Sequence, residues 1–338
     1  MRPFTYLRAS DIPSAVKAGA GGGATGAANR GDVQFIAGGT LLLDLMKLDN
    51  MRPLTLVDIN DLQGRMRQVE AGGNGLWLGA LVHMADAADH PAILRDYPMI
   101  AQALQLAASA QLRNMATLGG NVLQRTRCQY FRDPSWSACN KRDPGSGCAA
   151  MDGVNRKHAV LGVGDKCIAE YPGDFAQALV ALDARVHTSG PAGSRDFAFD
   201  QLHLGPERPE VETVLAPGEL ITGFTVPSAP WARRSLYLKI RDRQSYAFAL
   251  ASAAVALDMD EDVVRDVRIA LGGVAYRPWR AHDAEAMLKG QPLDEARATR
   301  AARAAFANAR PRGENAYKPR LGEQTLVRAL MQCAAMEA

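Results

Sequence analysis

The sequence predicts an α+β fold in more than one domain, and three observations predict it. Its 338 residues exceed what one modest hydrophobic core organises. Short strand-like runs alternate with helical spacings over the first two-thirds of the chain. From about residue 231 a block of strand patterns gives way to a block of helical ones, the α+β order. Hydrophobic residues make up 47% and charged residues 22%, a globular composition. The net charge of +3 comes from scattered positives, which argues against a nucleic-acid surface. No apolar run approaches the ~20 residues that span a bilayer. The start, "MRPFTYLRASDIPSAV", lacks the basic-then-apolar pattern of a secretory signal, so the chain is expected to fold in the cytosol.

Residues 1–62 read as a small α/β unit. "DIPSAVKAGA" has helical spacing, "VQFIAGGT" is a short strand entering a Gly-Gly turn, "LLLDLMKL" is a helix and "LTLVDI" a second strand. The spacer "GAGGGATGAANRG" (residues 19–31) reads as a flexible surface loop rather than a phosphate loop, since no strand precedes it. Residues 63–228 form a second unit. "GLWLGALVHMADAADHP" passes from strand to helix, and "PMIAQALQLAASAQLRN" reads as one long helix rich in small residues. "PGDFAQALVALDARVHT" is helix then strand, and "ELITGFTVP" a strand closed by Pro227. Residues 229–338 begin with antiparallel strands joined by the acidic turn "DMDED" and end with "AHDAEAML", "LDEARATRAARAAFANA" and "GEQTLVRALMQCAAM", three helices.

Two glycine pairs carry the first chemical signal. In "FIAGGTLLLDL" the run Gly38-Gly39-Thr40 joins a strand to a helix, where bare N–H groups can receive a phosphate. An ordinary tight turn would look the same. In "ATLGGNVL" a second pair lies beside Thr117 and Asn121; the bland reading is a helix C-cap. Neither is a GxGxxG fingerprint. Two such nests in one chain suggest the two sides of one diphosphate site.

The second signal is a run of thiols. Cys128, Cys139 and Cys148 lie in "QRTRCQYFRDPSWSACNKRDPGSGCAAMDG" (residues 124–153), and Cys167 follows in "GVGDKCIAE". In a chain that folds in the cytosol, clustered cysteines point to metal or redox chemistry rather than disulfides. The spacings, Cys-x10-Cys-x8-Cys-x18-Cys, contain no CxxC pair, which weakens a zinc reading. Four thiolates on long loops suit an iron–sulfur cubane, and Arg125, Arg127, Lys141 and Arg142 supply cations around them. The plain alternative is that some are merely buried. Cys333, in a helical apolar pattern, reads as buried. Asp174 stands where a helix would begin, as an N-cap would, and Lys239 reads as a solvated strand residue. Six scattered histidines make no Ser-His-Asp or HExxH arrangement.

Beyond these signals, "FIAGGTLLLDLMK", "LGALVHMADAADHP", "QLRNMATLGGNVLQRTRC", "PGDFAQALVALDA", "GELITGFTVP", "KIRDRQSYAFALASAAVAL" and "GVAYRPWRAHDAEAML" occur in one order. Over nearly its whole length the chain thereby resembles the FAD-binding medium subunits of the xanthine dehydrogenase family of molybdenum hydroxylases. Its cysteine segment resembles an insert carrying an extra [4Fe–4S] cluster, as in FAD subunits of periplasmic aldehyde oxidoreductases. The β subunits of 4-hydroxybenzoyl-CoA reductases are the alternative within the family.

The resemblance implies a two-subdomain FAD-binding domain (PCMH type) followed by a CO-dehydrogenase-flavoprotein-like C-terminal α+β domain. It implies that Gln34, Phe35, Ile36, Ala37, Gly38, Gly39, Thr40, Leu41 and Leu42 cradle the FAD diphosphate, with Thr117, Gly120 and Asn121 as the second loop. Asp174 matches a residue that bonds the ribityl chain, Ile221 an apolar contact near the adenine, and Lys239 a basic residue beside the isoalloxazine. Cys128, Cys139, Cys148 and Cys167 would ligate the cluster, within an insert at about residues 124–170. It further implies a heterotrimer. Aldehyde oxidation would occur at a molybdenum cofactor in a large subunit, a small subunit would carry two [2Fe–2S] clusters, and this chain would pass electrons through FAD to an external acceptor. Such a complex would reside in the periplasm, exported folded with a partner that carries the signal, or else in the cytoplasm. A self-sufficient flavin oxidoreductase and a metal-stapled module without flavin are the rival readings.

Overall fold

The computed structural model describes residues 1–21 and 31–337; most of the glycine-rich spacer lies outside them. The first unit comprises β1 (Thr5–Arg8), α1 (Ile12–Ala20), β2 (Val33–Ile36), α2 (Leu42–Lys47) and β3 (Thr55–Asp58). Its strands form a parallel sheet in the order β1-β3-β2. Asp11 starts α1, its side chain accepting the Ser14 N–H at 2.7 Å. Strand β1 leaves no mark in the sequence because all four of its residues are exposed, which removes the in-out alternation.

The second unit runs through β4 (Val69–Gly72), β5 (Gly75–Gly79), α3 (Met84–Ala88), α4 (Pro91–Asp96), α5 (Pro98–Gln105), α6 (Ala110–Arg113), α7 (Leu118–Val122) and α8 (Gln129–Arg132). After the cysteine segment come α9 (Phe175–Ala181), β6 (Arg185–Gly190), β7 (Gly193–Ala198) and β8 (Leu220–Val226). Its sheet is antiparallel, ordered β4-β5-β8-β6-β7. The long helix expected over residues 98–114 is two helices. Ala108 turns into the left-handed region at φ 48°, and the Ser109 hydroxyl accepts the Leu112 N–H at 3.3 Å to restart the chain as α6. That break turns the 115–121 loop toward the first unit.

In the third unit β9 (Ser235–Ile240), β10 (Ala251–Asp260), β11 (Val263–Gly272) and β12 (Trp279–Arg280) form an antiparallel sheet, followed by α10 (His282–Leu288), α11 (Glu295–Ala305) and α12 (Lys318–Ala334). Strand β10 explains how this unit joins the second. Ala253, Val255 and Leu257 pack into the core beneath α10, α11 and α12, whereas Ala254 and Ala256 face the core that holds α5 and α9. A sheet covered on both faces by helices requires small apolar residues in both registers, hence "ASAAVAL". Cys333 is fully buried in the first of these cores, its thiol donating to the Arg234 carbonyl at 3.3 Å.

Candidate functional site

The two glycine loops, nearly eighty residues apart in sequence, meet. A Cβ on Gly38 would overlap the Met115 carbonyl oxygen and lie 2.7 Å from its carbon and 3.2 Å from the Ala116 Cα. Only glycine allows that approach, and Gly39, at φ 69°, turns the chain into α2. Behind them Asn60 Nδ2 donates to the Ala37 carbonyl at 3.1 Å and to Asp58 at 2.7 Å, pinning the end of β2. Among the described residues, the N–H groups of Gly38, Gly39, Thr40 and Leu41 reach no backbone carbonyl. The second loop is a helix start rather than a C-cap. Thr117 Oγ1 accepts the Gly120 N–H at 3.3 Å, and Gly119 packs its backbone on Ala80, donating to that carbonyl at 2.8 Å.

Between the loops opens a cleft of about 230 Å³ lined by residues 33–42, Thr117 and Gly120. Its far wall is the cysteine segment: Gln124, Arg125, Thr126, Lys141, Ala169, Glu170 and Tyr171. Sequence reasoning missed Glu212, which organises that wall. It accepts Arg125 Nε at 2.6 Å and Lys141 Nζ at 2.8 Å. Burial pushes the Glu212 pKa up, but the attraction of Arg125 and Lys141 outweighs it and brings the value down to about 2. Glu170 behaves oppositely. Burial lifts it to about 7 even though Lys318 Nζ stands 3.1 Å away.

All four candidate ligands are free thiols, and they converge. Cys139 and Cys148 face each other across an isolated antiparallel bridge, and the Cys167 thiol donates to the Cys148 sulfur. Cys128 packs in the small apolar clusters that hold Cys139, Cys148 and Cys167. Burial pushes the Cys128 thiol up to about 12, whereas the Cys167 hydrogen bond draws Cys148 down to about 6. Arg142 gathers the loop by donating to the carbonyls of Tyr130, Phe131, Asp133 and Trp136. His158, unforeseen from sequence, places Nε2 3.1 Å from the Cys128 sulfur. Among the described residues no three His, Cys, Asp or Glu side chains close on a single ion. One zinc needs every sulfur about 2.3 Å from one point, whereas a cubane places each thiolate on its own iron and spaces the ligands wider. Four thiols brought together are the donor type that a cluster of that kind would take.

Four predicted cofactor residues do not line this cleft. Asn121, one residue beyond Gly120, has a buried Oδ1 without a partner, while its Nδ2 lies 3.3 Å from the Met84 sulfur. Ile221 is 3% exposed, in the core under β8. Asp174 and Lys239 bond each other at 2.7 Å, both nearly dry, with Tyr237 Oη donating to the same carboxylate at 2.6 Å. So Asp174 makes no N-cap bond, and Lys239 is not a solvated strand residue. Lys239 also donates to the Leu106 carbonyl at 3.0 Å, tying β9 to the end of α5. Replacing Lys239 by Met strands a buried carboxylate. The expected loss is about 3 kcal/mol of stability, read from denaturant unfolding, and the further change Asp174→Asn should recover much of it. Unchanged stability with lost flavin would instead place Lys239 on the cofactor.

The geometry so far is that of a split glycine cradle facing a thiol-bearing wall. Residues 2–229 match the FAD-binding domain of molybdopterin dehydrogenases, and residues 236–333 the C-terminal domain of CO dehydrogenase flavoproteins. The chain belongs to the FAD-binding medium subunits of the molybdenum hydroxylase family. It is 44% identical over 338 residues, 99% of each chain, to the aldehyde oxidoreductase FAD-binding subunit PaoB of Escherichia coli K12. It is 26% identical to the carbon monoxide dehydrogenase medium chain of Hydrogenophaga pseudoflava over 88% of each. A solved structure of that bacterium's carbon monoxide dehydrogenase superposes with a TM-score of 0.76, covering 99% of this chain and 98% of that one. The medium subunit is thus the FAD-carrying, electron-transferring part of a multi-subunit oxidoreductase. The fold is the FAD-binding domain followed by the flavoprotein C-terminal domain that the resemblance implied. The cleft itself suits that cofactor: one glycine that tolerates no Cβ, a second at positive φ, and four N–H groups without backbone partners among the described residues.

Proposed function

We propose that this medium subunit binds FAD between its two glycine loops and transfers electrons within a heterotrimeric aldehyde oxidoreductase. The observation that carries the proposal is the backbone contact of Gly38 with Met115 and Ala116, which makes one cleft of two distant loops. Bound FAD supplies a centre that exchanges one or two electrons. Gln34, Phe35, Ile36, Ala37, Gly38, Gly39, Thr40, Leu41 and Leu42 form one side of its diphosphate cradle, with Thr117 and Gly120 opposite and Asn121 just beyond them. N–H dipoles rather than lysines meet the phosphate charge, in keeping with a net charge of only +3. Asp174 and Lys239 serve the fold by pairing with each other, and Ile221 by packing in the core.

Cys128, Cys139, Cys148 and Cys167 hold a [4Fe–4S] cluster in the wall of that cleft. Support comes from their convergence as free thiols and from the cationic and N–H groups around them. The partners are a large subunit with the molybdenum cofactor and a small subunit with two [2Fe–2S] clusters, and an external acceptor removes the electrons. The 44% identity to an aldehyde oxidoreductase subunit favours an aldehyde as the substrate of the whole complex. We further take residues 1–62, 63–228 and 229–338 as its three structural units, each built on its own sheet, and the periplasm as its residence. The test is anaerobic co-purification with the partner subunits. One FAD per chain is the expected result; a complex that assembles and oxidises aldehydes without flavin would overturn it.

A further inference from the structure

We infer that Lys141, together with Arg125 and Glu212, forms a fixed cationic unit that raises the redox potential of the flavin in the adjoining cleft. The inference rests on the FAD reading above. Lys141 lies between Cys139 and Cys148 in the chain, yet its side chain, 4% exposed, reaches the cleft wall. All three of its protons are engaged: by Glu212 at 2.8 Å, the Pro209 carbonyl at 3.1 Å and Tyr276 Oη at 3.0 Å. An ammonium so held has no donor left for a ligand, so it acts through its field.

Two cations and one carboxylate leave the unit with an excess positive charge. Among the described residues the other carboxylates of the cleft wall each meet one cation, Lys318 for Glu170 and Arg195 for Glu219. Arg277 is the remaining cation there among the described residues, but it is exposed and water screens it. In a poorly solvated wall a fixed charge is felt far more strongly than in water. Adding electrons to a flavin makes it more negative, so a buried positive charge favours the reduced form. Lys141 also bonds Tyr276, which packs with Cys167, so the unit adjoins the thiols as well as the cleft.

The prediction has a sign that packing damage does not reproduce. Lys141→Met removes the excess charge, whereas Glu212→Gln enlarges it. In the intact complex, a spectroelectrochemical titration of the flavin is expected to show opposite shifts. At a fixed poise the reduced-to-oxidised ratio should fall about tenfold in Lys141→Met and rise in Glu212→Gln; tenfold is about 30 mV for a two-electron couple. Lys141→Arg should restore the parent potential. Shifts in the same direction, no shift at full flavin content, or loss of flavin from Lys141→Met would each overturn the inference. Absence of flavin from the parent complex would sink the FAD reading instead.

Discussion

Cys139→Ser is expected to lower iron and acid-labile sulfide in the purified complex by about four each while FAD stays near one per chain. Cys139 is 7% exposed, in the pocket formed by Leu45 and Phe131, and it pairs with Cys148 across the bridge that closes the loop. A serine hydroxyl fits that space, but it is a poor iron ligand and leaves an edge of the cubane unheld. The loop should survive, because Arg142 still holds the carbonyls around it and Ser146 Oγ still accepts the residue 139 N–H at 3.0 Å. Flavin should survive as well. The glycine loops are fixed by Asn60, Thr117 and Ala80, none of them in the cysteine segment. Iron analysis and absorption spectra of parent and variant decide the matter. An unchanged iron content, or one zinc per chain in the parent, would show that the thiols serve something else.

How far the sequence carries depends on whether a feature is local. The helices α1 and α9 and the strands β2, β3 and β8 are marked by local spacing and stand where it places them, and α12 begins four residues before the stretch read as helix. The glycine pairs and the thiols are equally local. Strand β7, "GSRDFA", is polar and sits at a sheet edge, so it carries no hydrophobic alternation. The partners that define the cleft wall are separated by 71 and 87 residues (Lys141 and Arg125 with Glu212), and the Lys239–Asp174 pair by 65. Nothing in a window around Glu212 distinguishes it from the exposed Glu207 nearby. Burial created the difference, and burial is a property of the whole fold. The same holds for His158, which only the folded loop brings to Cys128.

Gly38→Ala should release FAD, and of the glycine changes it should have the largest effect. The obstacle is main chain: the added methyl meets the carbonyl of Met115, which has no rotamer to change. Nor can the opposing loop retreat freely. The Ala116 carbonyl accepts the Met84 N–H at 2.9 Å, Leu118 donates to Val82 at 3.0 Å and Gly119 to Ala80 at 2.8 Å. Those bonds clamp residues 116–119 to the rim of the second unit. The strain therefore falls on the turn between β2 and α2, the same turn whose N–H groups face the cleft. Forcing a methyl into packed structure costs about 1–3 kcal/mol. If that penalty is borne by the bound state, FAD affinity drops about tenfold to a hundredfold, at about 1.4 kcal/mol per decade. Equilibrium dialysis of the complex against free FAD measures the drop directly. Gly73→Ala is the matched control, since a Cβ there meets nothing within 4 Å. If both variants keep the parent affinity, the diphosphate is not held where the two loops touch, and the cradle must be sought elsewhere along the cleft.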